Sequence, residues 1–129
     1  PNVFIYNKDS KDAIPNNVTH VKVDPSVKEI QKKAFIARWS LVEVEFSEGL
    51  EVIGRSAFEE CTNLKSINKL PSTLKEIGDD AFQSCWNLNS IEFPEGLQVI
   101  GECAFETCKR LKRIKIPSAH CWILIPILT

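Results

Sequence analysis

Apolar side chains recur along this chain at fixed offsets, in copies of 23 or 24 residues. Four Ala-Phe pairs mark the copies, and the steps between their phenylalanines are 23, 24 and 23 residues. Isoleucine stands five residues before each phenylalanine, leucine six residues after it, and valine or isoleucine nine residues after it. In the last three copies a glycine follows the first isoleucine, and a cysteine stands three residues after the phenylalanine. One such unit cannot bury its own apolar face, so the copies must stack on each other.

The spacing predicts the elements of one coil. We expect a short parallel strand near Leu88 to Phe93, a Pro/Gly turn, a second brief strand near Leu97 to Ile100, and a single helical turn around Ala104-Phe105. Coils stacked at the strand spacing of roughly 4.8 Å would place each phenylalanine over the next one, as a continuous internal column. The fold class is therefore a leucine-rich-repeat solenoid of about four to five coils, α/β and rich in strand.

The landmarks also define a family resemblance. The best copy, residues 74–91, reads LKEIGDDAFQSCWNLNSI, and its Ile-Gly, Ala-Phe, Cys and Leu positions recur together in register. This pattern resembles the BspA-like leucine-rich repeat family. The resemblance implies a right-handed, curved solenoid used in adhesion and protein recognition at the cell surface or after secretion, without enzyme activity. The first copy departs from the pattern at Gln31 and Arg38, which predicts a terminal coil that solvent reaches.

The repeat divides the chain into three parts. Residues 18–117 carry the periodic landmarks. Residues 1–17 lack them but contain the run Val3 to Tyr6, which predicts an N-terminal cap strand and loop. The ladder stops after Pro117, and residues 118–129 form an apolar tail that is either a C-terminal cap or a truncated copy.

Composition narrows the choice of partners. Sixteen Lys and Arg residues face 17 Asp and Glu residues, so the net charge is near −1 and disfavours nucleic acid as a partner. No run is long and apolar enough to predict insertion into a membrane. The sequence starts at Pro1 and contains no methionine, so we expect the natural start to lie upstream. The compartment and the oligomeric state stay open.

Residues that could carry chemistry are few. Cys61, Cys85 and Cys108 take inward positions, one per coil, which predicts small buried core residues with free thiols rather than a metal or redox site. Cys103 takes an outward position and is the better candidate for oxidation. The two histidines, His20 and His120, stand at opposite ends of the repeat. We therefore expect no catalytic, cofactor or metal residue.

The predicted partner surface is the open face of the strands. Residues on either side of each inward Val or Ile should project from that face in two parallel stripes. One stripe comprises His20, Glu43, Ser66, Ser90 and Arg113, and the other comprises Lys22, Glu45, Asn68, Glu92 and Lys115. These stripes could meet a protein or glycan partner, or they could be only the polar face that any uncovered strand needs. Trp39 and Trp86 are further candidates as binding anchors, although packing against the adjoining turn is the preferred interpretation.

Overall fold

The computed structural model is a parallel-strand solenoid of about four coils. The structure describes residues 3–10, 13–67 and 69–116. Its strands are β1 (Val3–Tyr6), β2 (His20–Val23), β3 (Glu29–Ile30), β4 (Glu43–Glu45), β5 (Val52–Ile53), β6 (Ser66–Ile67), β7 (Glu76–Ile77), β8 (Ser90–Glu92), β9 (Val99–Ile100) and β10 (Arg113–Lys115). The strands expected near Leu88 to Phe93 and Leu97 to Ile100 are confirmed as β8 and β9.

Two sides of the solenoid are parallel sheets. The first side holds the four-stranded order β1-β2-β4-β6 and the separate pair β8-β10, which we together call the first sheet; the second side, the second sheet, holds β3-β5-β7-β9. Except between β6 and β8, each described strand pairs with its equivalent in the next coil, as in Val21 with Val44 and Ile53 with Ile77. Because the side-chain period of a strand is two, this register keeps every aliphatic landmark on the inward face.

The predicted aromatic column forms the centre of the core. Phe35, Phe58, Phe82 and Phe105 stack in order, with ring centroids 5.1, 5.2 and 5.3 Å apart and planes within 7° of parallel. Tyr6 extends the column at one end, with its ring 5.3 Å from that of Phe35 and tilted by 51°. All five rings are buried. The four coils therefore share one continuous hydrophobic core.

The third side is not the helical turn that the sequence predicted. Within each coil, alternate backbone N–H groups close short turns, as Ala57 does to Gly54, while the groups between them donate to the next coil. Phe58 N donates to Ala81 O at 2.8 Å, for example, and three such bonds join each pair of adjacent coils along this side. Non-glycine residues in the left-handed region, including Ser56 and Glu60, separate the turns. This conformation is costly for one residue, but repeated bonds between coils hold it in place.

The Ile-Gly landmark follows from close approach of the backbone. A Cβ atom on Gly78 would lie 2.7 Å from Arg55 N, and one on Gly54 would lie 2.6 Å from Ile30 O. Only glycine leaves room for the coil before it. Gln31 takes the equivalent position in the first coil and is exposed, as expected for a terminal coil.

The predicted N-terminal part, residues 1–17, contains a strand at the predicted position. β1 pairs in parallel with β2 and lies at the edge of the first sheet. Its role as a cap remains a prediction. Pro117 and the predicted tail, residues 118–129, lie outside the described residues.

Candidate functional site

The outward face of the first sheet carries the two predicted stripes. The paired registers place His20 beside Glu43, Glu43 beside Ser66, and Ser90 beside Arg113. The second stripe aligns in the same way, because Lys22 lies beside Glu45, and Glu92 beside Lys115. These side chains are exposed except for that of His20, which is half-buried. Asn68 lies outside the described residues.

Most charges on this face, though not that of Arg113, are paired between neighbouring coils. The Nζ atoms of Lys22 and Lys115 lie 3.9 Å from Glu45 Oε2 and 3.3 Å from Glu92 Oε1, respectively. His20 Nε2 lies 4.0 Å from Glu43 Oε2, and its Nδ1 is 2.9 Å from Thr19 Oγ1. Exposed pairs of this kind contribute about 0–1 kcal/mol each. They order the side chains of the face more than they stabilise the fold.

The structure adds two apolar residues that the sequence reasoning missed. Val3 and Ile5 on β1 pair with His20 and Lys22, so they continue the two stripes by one strand. Their exposed fractions are 52% and 51%. The signal was present in the alternation of the run 3–6, because Phe4 and Tyr6 point inward. The cap interpretation did not consider Val3 and Ile5, the two residues of that run that point outward.

The face is interrupted between β6 and β8. No ladder joins these two strands within the described residues, whereas the stripes had been expected to run through. The interruption falls in the copy with the 24-residue step. A shallow groove of about 490 Å³ lies here, lined by apolar Ile67, Leu70 and Ile91 and by charged residues including Lys69 and Arg113.

The two tryptophans lie on the corner where the third side meets the first sheet. Trp39 is 62% exposed and Trp86 is 44% exposed, so both rings are partly accessible, and their packing against the adjoining turn stays a prediction. Asn63 Nδ2 donates to Trp39 O at 2.7 Å, which ties the backbone of Trp39 to the next coil. The ammonium of Lys109 lies 4.6 Å from the Trp86 ring centroid. The corner thus presents two large, partly exposed rings.

The three inward cysteines form a second ladder beside the aromatic column. Each thiol donates to the carbonyl of the phenylalanine one coil earlier, as from Cys61 Sγ to Phe35 O at 3.1 Å and from Cys85 Sγ to Phe58 O at 3.2 Å. Both thiols are buried and free, and Cys108 is free and half-buried. Burial raises the pKa of Cys61 to about 12 and that of Cys108 to about 11. Cys61 and Cys85 are buried with free thiols, as predicted, whereas Cys108 is less buried than predicted; the raised pKa values favour the protonated thiols at neutral pH.

Cys103 is less accessible than its outward position suggested. It is partly exposed, and its thiol donates a hydrogen bond to the carboxylate of Glu106, which raises the pKa of the thiol. Gln83 Nε2 donates to the same carboxylate at 2.8 Å. The neutral thiol is therefore favoured, and its reactivity at neutral pH is lower than that of a cysteine whose pKa is not raised.

A metal site of three or more such ligands and a membrane-spanning helix are both absent from the described residues. No group of three or more His, Cys, Asp or Glu residues there could hold a metal ion. No helix among the described residues has the length and apolar character needed to cross a bilayer. His120 lies outside the described residues, so its distance from His20 stays a prediction.

Comparison with known proteins places this solenoid in a family. The model of the BspA type leucine rich repeat region matches residues 13–123 in six copies. The chain belongs to the BspA type leucine rich repeat family. This confirms the resemblance inferred from the Ile-Gly, Ala-Phe and Cys landmarks. Leucine-rich repeats are scaffolds that present extended binding surfaces.

Solved bacterial structures show the same fold. A leucine-rich repeat protein from Bacteroides ovatus is 39% identical with a TM-score of 0.73, over 79% of this chain and 26% of that one. A leucine rich cell surface protein from Faecalibacterium prausnitzii is 29% identical with a TM-score of 0.69, over 78% and 27%. The pneumococcal vaccine antigen PcpA is 27% identical with a TM-score of 0.75, over 84% and 28%. The BspA type chain thus spans about a quarter of each. Among curated proteins, none matches it.

Proposed function

We propose that this chain is a non-enzymatic recognition or adhesion module that presents the outward face of its first sheet to a protein or glycan partner. The observation that carries the proposal is the exposure of Glu43, Glu45 and Glu92 on a parallel sheet. Parallel sheets usually have both faces covered. In the described residues one face holds the core, and the other is open, polar and varied in charge.

Two features make this face suited to a partner rather than to solvent alone. Val3 and Ile5 add apolar area at one end, beside the charged stripes. Trp39 and Trp86 project from the adjoining corner, and tryptophan is enriched among the residues that dominate binding energy. A partner that covers the stripes and reaches this corner would combine polar complementarity with aromatic anchors.

A cell-surface location fits the same proposal. The Faecalibacterium prausnitzii relative is a cell surface protein, and it is about four times as long as the part that this chain matches. We infer that the present coils are one section of a longer repeat array. Many weak contacts along such an array would add to a useful affinity.

A structural spacer is the second candidate. The pairs Lys22–Glu45 and Lys115–Glu92 satisfy charges within the face, as a surface that meets only water would also do. A spacer would tolerate reversal of the face charges. A partner-binding face would not.

The test is a triple charge reversal, with Glu43, Glu45 and Glu92 each replaced by Lys. Binding of immobilised chain to a panel of purified extracellular matrix proteins and glycans is measured by surface plasmon resonance. The control reverses Glu29, Glu76 and Glu95, which are also exposed but lie off the first sheet. Both variants should remain folded by circular dichroism, since exposed ion pairs contribute only about 0–1 kcal/mol each.

We expect the face variant to lose about tenfold or more in affinity, and the control to keep it, since misplaced like charges cost several kcal/mol at an interface. Unchanged binding by the face variant would refute the recognition face. A wild-type chain that binds nothing on the panel would favour the spacer.

A further inference from the structure

The last described coil carries an unbroken set of outward cations. Its inward residues are Cys108, Leu111 and Ile114, which pack against the core. Every residue between them, and the one after, is basic. These residues are Lys109, Arg110, Lys112, Arg113 and Lys115, and all five are exposed. We call them the basic coil patch. At about 3.3 Å per residue in extended chain, the patch is at most about 20 Å long.

Most of this positive charge is not neutralised. Within the described residues, Lys115 has an acidic partner in Glu92, and Lys109 lies over the Trp86 ring. Arg110, Lys112 and Arg113 have no ion pair among those residues. The coil beneath them is neutral at most of the facing positions, which include Trp86, Asn87, Asn89 and Ser90.

The surface around the patch is concave in two places. The groove at the interruption of the first sheet, about 490 Å³, is lined by Lys69, Lys112, Arg113 and Lys115 among others. A second depression of about 300 Å³ is lined by Asn89, Arg110, Lys112 and Arg113. Lys112 and Arg113 are common to both. Anionic groups a few ångströms apart on one chain could therefore contact cations in both depressions at once.

We propose that the basic coil patch binds a sulfated glycan. Sulfate groups match the two chemistries present, because the guanidinium groups of Arg110 and Arg113 can donate two parallel hydrogen bonds to oxyanions and the lysines act as point charges. The near-zero net charge of the whole chain does not oppose this, since exposed charges beyond about 10 Å are largely screened at 0.1 M salt.

The same geometry disfavours nucleic acid. Single-stranded nucleic acid binds by stacking its bases on aromatic rings as well as by charge. The ring of Trp86 already has the Lys109 ammonium over it. A long polyanion that crossed the coils along the first sheet would also meet Glu92, Glu45 and Glu43. A short run of sulfates that follows one coil avoids both obstacles.

The patch shares Arg113 and Lys115 with the two stripes, so its test changes only Arg110 and Lys112, which lie outside both. The test variant is Arg110→Gln with Lys112→Gln. The control is Lys28→Gln with Lys75→Gln, which removes the same charge from exposed positions beside the second sheet. Binding of each full chain to heparin is measured by isothermal titration calorimetry between 50 and about 200 mM NaCl, where counterion release makes affinity depend on salt.

The wild-type chain should bind heparin, and the test variant should bind about tenfold or more weakly, with a salt slope shallower by about two. The control should match the wild type, and unsulfated hyaluronan should bind far more weakly than heparin. An equal loss in the control, or no heparin binding by the wild type at 50 mM NaCl, would overturn the proposal. Tighter binding of oligothymidylate than of heparin would also overturn it, in favour of nucleic acid. The Glu43, Glu45 and Glu92 reversal should leave heparin binding undiminished, so the two proposals can fail separately.

Discussion

The aromatic column makes the replacement of Phe82 by alanine the most direct test of the fold. Phe82 is fully buried and has a stacked ring on each side, with Phe58 at 5.2 Å and Phe105 at 5.3 Å. Alanine at this position removes the ring from the middle of the stack. The coils on either side are joined by backbone hydrogen bonds, so they cannot close over the cavity.

The expected loss in the free energy of unfolding is about 3–5 kcal/mol, the range for Phe→Ala in a core that relaxes little. Part of it comes from the two ring pairs, which contribute about 0.5–1.5 kcal/mol each beyond the buried area. Because domains of this size have a total stability of about 5–15 kcal/mol, the milder variant Phe82→Leu is measured beside it. We expect it to lose roughly half as much, since leucine keeps part of the volume and loses the stacking.

The assay is equilibrium unfolding in urea, followed by circular dichroism. Val99→Ala serves as the control, because Val99 is 47% exposed and its loss should change stability by about 0.5 kcal/mol or less. A double-mutant cycle then tests the stacking itself. Phe58→Leu and Phe82→Leu should be coupled by about 0.5–1.5 kcal/mol, whereas substitutions three coils apart should have additive effects on the free energy of unfolding.

A loss of less than about 1 kcal/mol in the free energy of unfolding for Phe82→Ala would refute the shared core, because removal of a fully buried phenylalanine destabilises a core by more than that. Additive behaviour of Phe58 and Phe82 would leave the burial intact and refute the contribution of stacking.

Three further predictions follow from individual contacts. Gly78→Ala should lower stability by about 1–3 kcal/mol in urea unfolding, because its new Cβ would lie 2.7 Å from backbone, whereas Gly96→Ala, with 3.6 Å of room, should be neutral or stabilising. Glu106→Gln should speed alkylation of Cys103 at pH 7.5, followed by mass spectrometry, because it removes the carboxylate that raises the pKa of the thiol; an unchanged rate would contradict this role. Trp39→Ala should change the free energy of unfolding by about 0.5 kcal/mol or less, since the ring is 62% exposed, while lowering the affinity for any ligand that the corner binds.

Most of the fold could be predicted because each landmark repeats at a constant offset. Phe35, Phe58 and Phe82 occupy the same slot, so one interpretation of the period places them all. Tyr6 was missed as a member of the column because it precedes Phe35 by 29 residues rather than 23. A period identifies residues that obey it, and Tyr6 reaches the column through the pairing of β1 with β2.

The third side shows where local pattern misleads. The sequence around each Ala-Phe pair resembles that of a helical turn, since small and polar residues flank the apolar pair. The backbone instead forms short turns closed within a coil, as by the bond from Ala57 N to Gly54 O. Ser56 and Glu60 nevertheless adopt the left-handed region, which no local propensity favours for these residues. The hydrogen bonds to the next coil select that conformation, and they exist only after the coils have stacked.

The candidate surfaces were only partly visible in sequence. Alternation along the strands was enough to place Glu43 and Glu45 on the open face, because a strand has only two faces. The exposure of the tryptophans depends on how closely the turns of neighbouring coils pack at the corner, which local sequence does not specify.

What the amino-acid sequence determined by itself was the period, and with it the stacking of coils, the inward residues and the family. The period suffices because every coil must bury the same landmarks against the next. Only the tertiary structure decided how the backbone turns on the third side, where the first sheet is interrupted, and which cations stay unpaired. These features depend on contacts between coils, and a residue's distance to the coil above or below is not written in its local sequence.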